Sequence, residues 1–273
     1  MRTLVAAWLL SMLAVLLFQK HLVWHPTGPP QRTPATFRLP YADLDLTTAD
    51  GVVIDAWRID APDPKGALLY LHGNSGSIGN LIGIARRFRE LRYSILLLEY
   101  RGYGNSGGKL SEEGTYLDAV AGYDALRAAG YPAERIVAFG HSLGGAVAIE
   151  LARRRPLAGL VTESTFSSVP DVGAERFPWL PIRRLARIHY DNAAKAKELE
   201  LPWLLIHGRD DTIVRYHFAE RLFAAAKAGR AADPDPAPLL FHTVYNGHFG
   251  ADLNDRGDRD VIVKFLDAAF AGG

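Results

Sequence analysis

Ser142 sits in Gly140-His141-Ser142-Leu143-Gly144, after the apolar run 136–139 and before the helix-forming run 145–149. A serine hydroxyl becomes a nucleophile only when a base takes its proton, and the base needs a third group to hold its ring. The chain offers both partners downstream. His248 lies in the glycine-flanked loop Asn246-Gly247-His248, and Asp211 follows the apolar run 202–207 in Gly208-Arg209-Asp210-Asp211. The spacing His-Gly-x-x-Asp-x-x-Val, running from His207 to Val214, favours Asp211 over Asp210. Acyl transfer also needs two preorganised N–H donors for the oxyanion. Leu143, the residue after the nucleophile, and Asn74, in the loop His72-Gly73-Asn74, are expected to supply them from the backbone.

The same residue types have blander uses. G-x-S-x-G recurs in Gly104-Asn105-Ser106-Gly107-Gly108. A nucleophile elbow needs a strand and a helix on either side of the serine. Ser142 has both, whereas Ser106 lies deep in a glycine loop whose following helix starts only near Ser111. That loop also contains Gly102-Tyr103-Gly104-Asn105-Ser106-Gly107, but no helix opens at its last glycine, so a dinucleotide site is not expected. Among the other downstream histidines, His242 falls inside a strand and His207 supports the turn before the acid. His189 and His217 read as ordinary polar or lid positions.

The elements that must position these groups follow a regular plan. Residues 41–48 and 52–59 alternate apolar and polar across Ala49-Asp50-Gly51, a β-hairpin signal. Continuous apolar strands then alternate with helical periods. Strands are expected at 66–71, 94–99, 136–139, 157–163, 202–207 and 239–244, and helices near 81–88, 111–129, 143–149, 218–228 and 261–270. Such strands are buried on both faces, which predicts an α/β fold with a mostly parallel central sheet and helices on both sides. Ligands in these folds lie at the carboxyl ends of strands, and every candidate residue lies just past one. Residues 164–200 break the alternation and are expected to form a short lid.

At 273 residues with a formal net charge of +1, the chain gives no electrostatic reason to expect nucleic acid as a partner. It has no cysteine, so a cysteine nucleophile and disulfides are excluded. Residues 4–18 are uncharged and almost wholly apolar between Arg2 and Lys20. Extended to Trp24, a helix here reaches about 31 Å, close to the roughly 30 Å of a bilayer core. No small-x-small cleavage site follows it, so residues 1–24 are expected to be an uncleaved membrane anchor, the alternatives being a removed signal segment with a secreted or periplasmic product, or a buried helix of a soluble protein. Arg2 and the amino terminus favour a cytoplasmic N-terminus and an extracytoplasmic catalytic domain. Residues 25–40 carry five prolines and are expected to be an extended linker to the folded domain at 41–273.

With His72-Gly73-Asn74, Tyr100-Arg101-Gly102-Tyr103-Gly104-Asn105-Ser106, Gly140-His141-Ser142-Leu143-Gly144-Gly145, Glu163-Ser164-Thr165-Phe166-Ser167-Ser168 and Asn246-Gly247-His248 in this order, residues 37–270 resemble the α/β-hydrolase superfamily. More narrowly they resemble its Bem46- and ABHD13-like serine hydrolases. The resemblance implies a Ser142-Asp211-His248 triad, an N-terminal membrane segment and little or no cofactor requirement; separately, no metal motif of the H-E-x-x-H kind is present. One departure is Glu99, where relatives usually carry Asp before Tyr-Arg-Gly. The expected activity is hydrolysis of esters or thioesters of small or lipid-like acyl substrates. A peptidase on the same fold, or an idle hydrolase fold used for binding, are the alternatives.

Overall fold

Gly66–Leu71 carries no charge, and in the computed structural model, which describes residues 1–272, the strand is buried along its whole length. It is β3 of an eight-stranded sheet, at the centre of the core. The other strands are β1 (Ala42–Thr47), β2 (Val53–Ile59), β4 (Tyr93–Leu98), β5 (Ile136–His141), β6 (Gly159–Glu163), β7 (Trp203–Gly208) and β8 (Leu239–Val244). Their order is β1-β2-β4-β3-β5-β6-β7-β8. Only β1 with β2 and β2 with β4 pair antiparallel; every other neighbour is parallel. The hairpin and the parallel sheet thus stand where the sequence predicts them.

Alternation along β3 divides the core. Ala67, Leu69 and Leu71 face one side, with Tyr116 and Tyr123 of α3 (Glu112–Ala128), Ala146 and Ile149 of α4 (Leu143–Arg154) and Leu222 of α8 (Tyr216–Gly229). Leu68 and Tyr70 face the other, with Phe88 of α2 (Ile82–Glu90) and Phe265 of α9 (Arg256–Ala271). Burying both faces of a strand in this way requires the uniformly apolar sequence seen in β3. Ser111 caps α3 by accepting the Gly114 N–H at 3.0 Å. The last helix begins five residues before the expected 261, because the Asp255 carboxylate accepts the Asp258 N–H at 3.0 Å and caps it there.

Two further expectations are altered by tertiary contacts. Residues 25–40 are neither wholly extended nor a free linker: His25–Pro26 pairs with Ser75–Gly76, the Gly104 N–H donates to Thr27 O at 3.0 Å, and Pro34–Phe37 winds into a 3-10 turn. Trp24 anchors this stretch from its amino end, buried with its indole N–H on Tyr190 Oη at 3.3 Å. Within 164–200, α5 (Val169–Arg176) and α6 (Ile182–Leu185) cover the site, but α7 (Asn192–Ala196) packs on α4 and α8 as part of the body. Asn192 fixes that change of direction by donating from Nδ2 to Phe166 O at 2.9 Å.

The N-terminal helix α1 (Arg2–Val23) has a mean hydropathy of 1.8 over its most apolar stretch and is long enough to cross a membrane. It does not stand clear of the domain. Gln19 is buried against the lid, its Oε1 accepting the Arg187 N–H at 2.7 Å.

Candidate active site

The turn from β5 into α4 holds Ser142 at φ 53° and ψ −115°, a backbone conformation that a non-glycine residue adopts only under constraint. The constraint is packing. A Cβ on Gly144 would lie 1.9 Å from Leu71 O, and one on Gly140 would lie 2.3 Å from Gly144 O. Only glycines at those positions let α4 leave the sheet closely enough to aim Ser142 over its edge. The Ser142 N–H donates to Glu163 O at 2.7 Å, tying the elbow to the end of β6.

Around this serine the sheet's carboxyl edge gathers residues from four strand ends. Ser142 Oγ donates to His248 Nε2 at 3.0 Å, and His248 Nδ1–H donates to Asp211 Oδ2 at 2.8 Å. Asp211 Oδ1 accepts the N–H groups of Ile213 and Val214 at 2.8 and 2.9 Å. Burial acts to raise the Asp211 pKa, but the hydrogen bonds from His248 and the two backbone donors outweigh it and hold the carboxyl below its ordinary value. It therefore stands ready as an anion facing the imidazole. Asp210, the adjacent carboxylate, instead accepts the Gly247 N–H at 3.0 Å and braces the His248 loop.

Leu143 opens α4, so its N–H is among the first-turn donors that find no partner within the helix. The loop after β3 passes beside it: a Cβ on Gly73 would lie 3.5 Å from Ser142 Cβ. Asn74, next in that loop, borders the same cavity as Ser142 and Leu143. Its side-chain amide is engaged elsewhere, donating to Val23 O at 3.2 Å and meeting His25 Nδ1 at 3.1 Å. Any share Asn74 takes in an oxyanion site therefore falls to its backbone.

Other sequence candidates take structural places. Ser106 Oγ donates to Glu99 O at 3.1 Å and accepts the Asp55 N–H at 2.9 Å, stapling the glycine loop to β2. His207 is buried with Nε2–H on Val214 O at 2.8 Å, and burial lowers its pKa, so it supports the turn that carries Asp211 as a neutral ring. His242 pairs with Asp258, His217 with Glu175, and the His189 N–H donates to Glu112.

Two further contributors, His141 and Glu163, are not among the site residues expected from the sequence. His141 Nε2–H donates to His248 O at 2.8 Å, with the two rings 5.2 Å apart. Burial pushes its pKa down to about 4, so near neutrality it is an uncharged brace beside His248. Glu163 accepts the Ala251 N–H at 2.7 Å, and its carboxyl is pushed up to about 8 by burial. Both lie inside the motifs that carry the family resemblance, His141 just before Ser142 and Glu163 at the end of the next strand, but nothing in those motifs gives either a role.

A cavity of about 370 Å³ opens on Ser142. It is mainly apolar, with Phe166, Val172, Phe177 and Ile182 from the lid side and Val214 beyond Asp211. A larger hollow of about 720 Å³ near Gly79 and Asn80 contains none of the candidate groups. Among the described residues, no cluster of His, Asp and Glu is arranged to hold a metal ion.

A family model described as serine aminopeptidase, S33 (Hydrolase_4) matches residues 62–190. The bem46 protein of Schizosaccharomyces pombe is 33% identical over 213 residues, covering 72% of this chain and 71% of its own. The chain belongs to the Bem46-like α/β hydrolases. An uncharacterized membrane protein of Saccharomyces cerevisiae is 30% identical across 96% of this chain and 94% of its own length. The lysophosphatidylserine lipase ABHD12 of Rattus norvegicus is 29% identical over 184 residues, 60% of this chain and 46% of the lipase. In fold, the chain is similar to a Pyrococcus furiosus esterase with a TM-score of 0.70 at 22% identity, over 90% of this chain and 99% of that one.

Proposed function

We propose that this Bem46-like hydrolase is a serine esterase or thioesterase acting on lipid-like acyl substrates, held at a membrane by α1. The observation that carries the reading is the hydrogen-bonded chain from Ser142 through His248 to Asp211 at the floor of an apolar cavity. In this mechanism His248 takes the Ser142 proton as the oxygen attacks the acyl carbon, and Asp211 steadies the imidazolium that results. The Leu143 and Asn74 N–H groups receive the oxyanion, and His248 returns its proton to the leaving group. Water, deprotonated by the same histidine, then releases the acid. The chemistry needs no cofactor.

Lipid-like substrates are favoured by the lining of the cavity and by the similarity to a lysophosphatidylserine lipase. The family model's description raises a second reading, an aminopeptidase. Against it, no carboxylate lines the cavity to meet a peptide's terminal ammonium; its one Arg or Lys side chain is Arg176. Arg2, ahead of the apolar run, favours an extracytoplasmic catalytic domain.

A fluorophosphonate probe, which reacts with activated serines, tests the nucleophile. The wild-type chain is expected to label and Ser142→Ala is not; equal labelling of the two refutes the assignment. A panel of p-nitrophenyl esters beside peptide p-nitroanilides tests the class. Faster turnover of the amides overturns the esterase reading in favour of a peptidase.

A further inference from the structure

The apolar N-terminal helix is tied to the catalytic domain at points spread between Trp8 and Val23. The Trp8 indole N–H donates to Trp179 O at 2.8 Å, Gln19 holds the Arg187 N–H, and Val23 O accepts from Asn74. Trp8 to Val23 covers about four turns, or roughly 24 Å of helix. A tether needs none of these contacts. Moreover, they place the tip of the lid, with Trp179 61% exposed, beside the first half of α1.

Val15, Gln19, Leu22 and Val23 follow one another at helical spacing and line the same cavity as Ser142 and Leu143. Val172, Phe177 and Ile182 of the lid line it as well. The other side of α1 is bare and apolar, with Leu10 65% and Leu17 64% exposed. One helix therefore presents an apolar stripe to the nucleophile's cavity and an apolar stripe outward. If α1 is embedded in a bilayer, the outward stripe meets lipid chains.

We propose that α1 is a wall of the acyl pocket, and that a single acyl chain of a membrane lipid enters laterally from the bilayer, between α1 and the lid helices α5 and α6. A chain lying against α1 in the membrane reaches Ser142 by moving around the helix, so its methylenes stay in an apolar environment throughout. Water-filled routes would expose them. At about 370 Å³ the cavity is at the small end of ligand pockets, which run from roughly 300 to 1,000 Å³, and it suits one chain better than two. The substrate class is thus a single-chain acyl amphiphile such as a lysophospholipid. This rests on Ser142 being the nucleophile.

The experiment uses the full chain in phosphatidylcholine vesicles. An alkyl fluorophosphonate with a twelve-carbon chain ending in a diazirine is attached to Ser142, irradiated and mapped by tryptic digestion. Cross-links are expected in the α1 peptides 3–20 or 21–32. Cross-links confined to peptides from other elements overturn the proposal, whereas absence of labelling at Ser142 overturns the hydrolase reading beneath it. Steady-state selectivity gives a second measure. Leu22→Trp, which fills the cavity side, is expected to lower the dodecanoate-to-acetate ratio of kcat/KM for p-nitrophenyl esters about ten-fold or more. Leu17→Trp, on the outward face, is expected to leave the ratio unchanged. An unaltered ratio in Leu22→Trp, or an equal fall in Leu17→Trp, refutes the wall.

Discussion

Glu163 binds the site from two sides: its carbonyl accepts the Ser142 N–H, and its carboxyl oxygen accepts the N–H of Ala251, three residues past His248. Burial pushes its pKa from 4.5 to about 8. The folded chain therefore keeps this proton up to about pH 8, whereas the unfolded chain releases it near 4.5. Folding is coupled to proton uptake across that window. The stability involved is fully present below the unfolded pKa and is lost as pH rises through the folded one. With a slope of about 1.36 kcal/mol per pH unit, integration from about pH 5.5 to about pH 8 gives a loss on the order of 3 kcal/mol. Glu163→Gln keeps an oxygen for the Ala251 N–H but cannot ionise. The variant is thus expected to gain about 3 kcal/mol relative to wild type between those two pH values. Asp55 and Asp118, each raised to about 6 chiefly by burial, titrate in the same window but are common to both proteins and cancel. Urea unfolding of the detergent-solubilised chain, followed by tryptophan fluorescence, measures the difference. The same stability gap at both pH values would refute the reasoning.

Two changes beside His248 probe the proposed relay. Asp211→Asn can turn an amide N–H toward His248 Nδ1, which favours the wrong imidazole tautomer; ester kcat is expected to fall about 10³–10⁴-fold with KM little changed, and a loss below ten-fold in steady-state assays removes Asp211 from the relay. His141→Phe keeps a ring against His248 but loses the donor to His248 O. Losing a hydrogen bond of about 1 kcal/mol is expected to lower kcat roughly five-fold through a misplaced base, with KM and the shape of the pH profile above pH 5 retained; a wild-type kcat shows that His141 positions nothing.

Much of the site is legible in the sequence because its demands are local. The elbow needs small residues two before and two after the serine, and a serine between strand and helix. Gly140, Ser142 and Gly144 meet that demand within five positions. The separation of Ser142 from Ser106 is also legible, since it depends on what flanks each serine. Choosing Asp211 over Asp210 draws on spacing, but the reason is tertiary: one carboxylate meets the His248 ring and the other its loop backbone. Glu163 and His141 are not legible as supports, because nothing in a strand-end residue's identity reveals which distant loop it will face.

The N-terminus marks the same division most sharply. By itself, the sequence determined that residues 4–18 form an apolar helix, because composition and length suffice for that. It also determined the alternation of strands and helices and the order in which Ser142, Asp211 and His248 follow one another. Only the tertiary structure decided that the helix lies along the lid, with Gln19 pinned to Arg187 and Val15 and Leu22 facing the cavity of Ser142. Hydrophobic periodicity tells which residues avoid water. It does not tell whether they avoid it in a bilayer, in a core or against a substrate, because those surroundings are assembled by contacts between residues far apart in the chain.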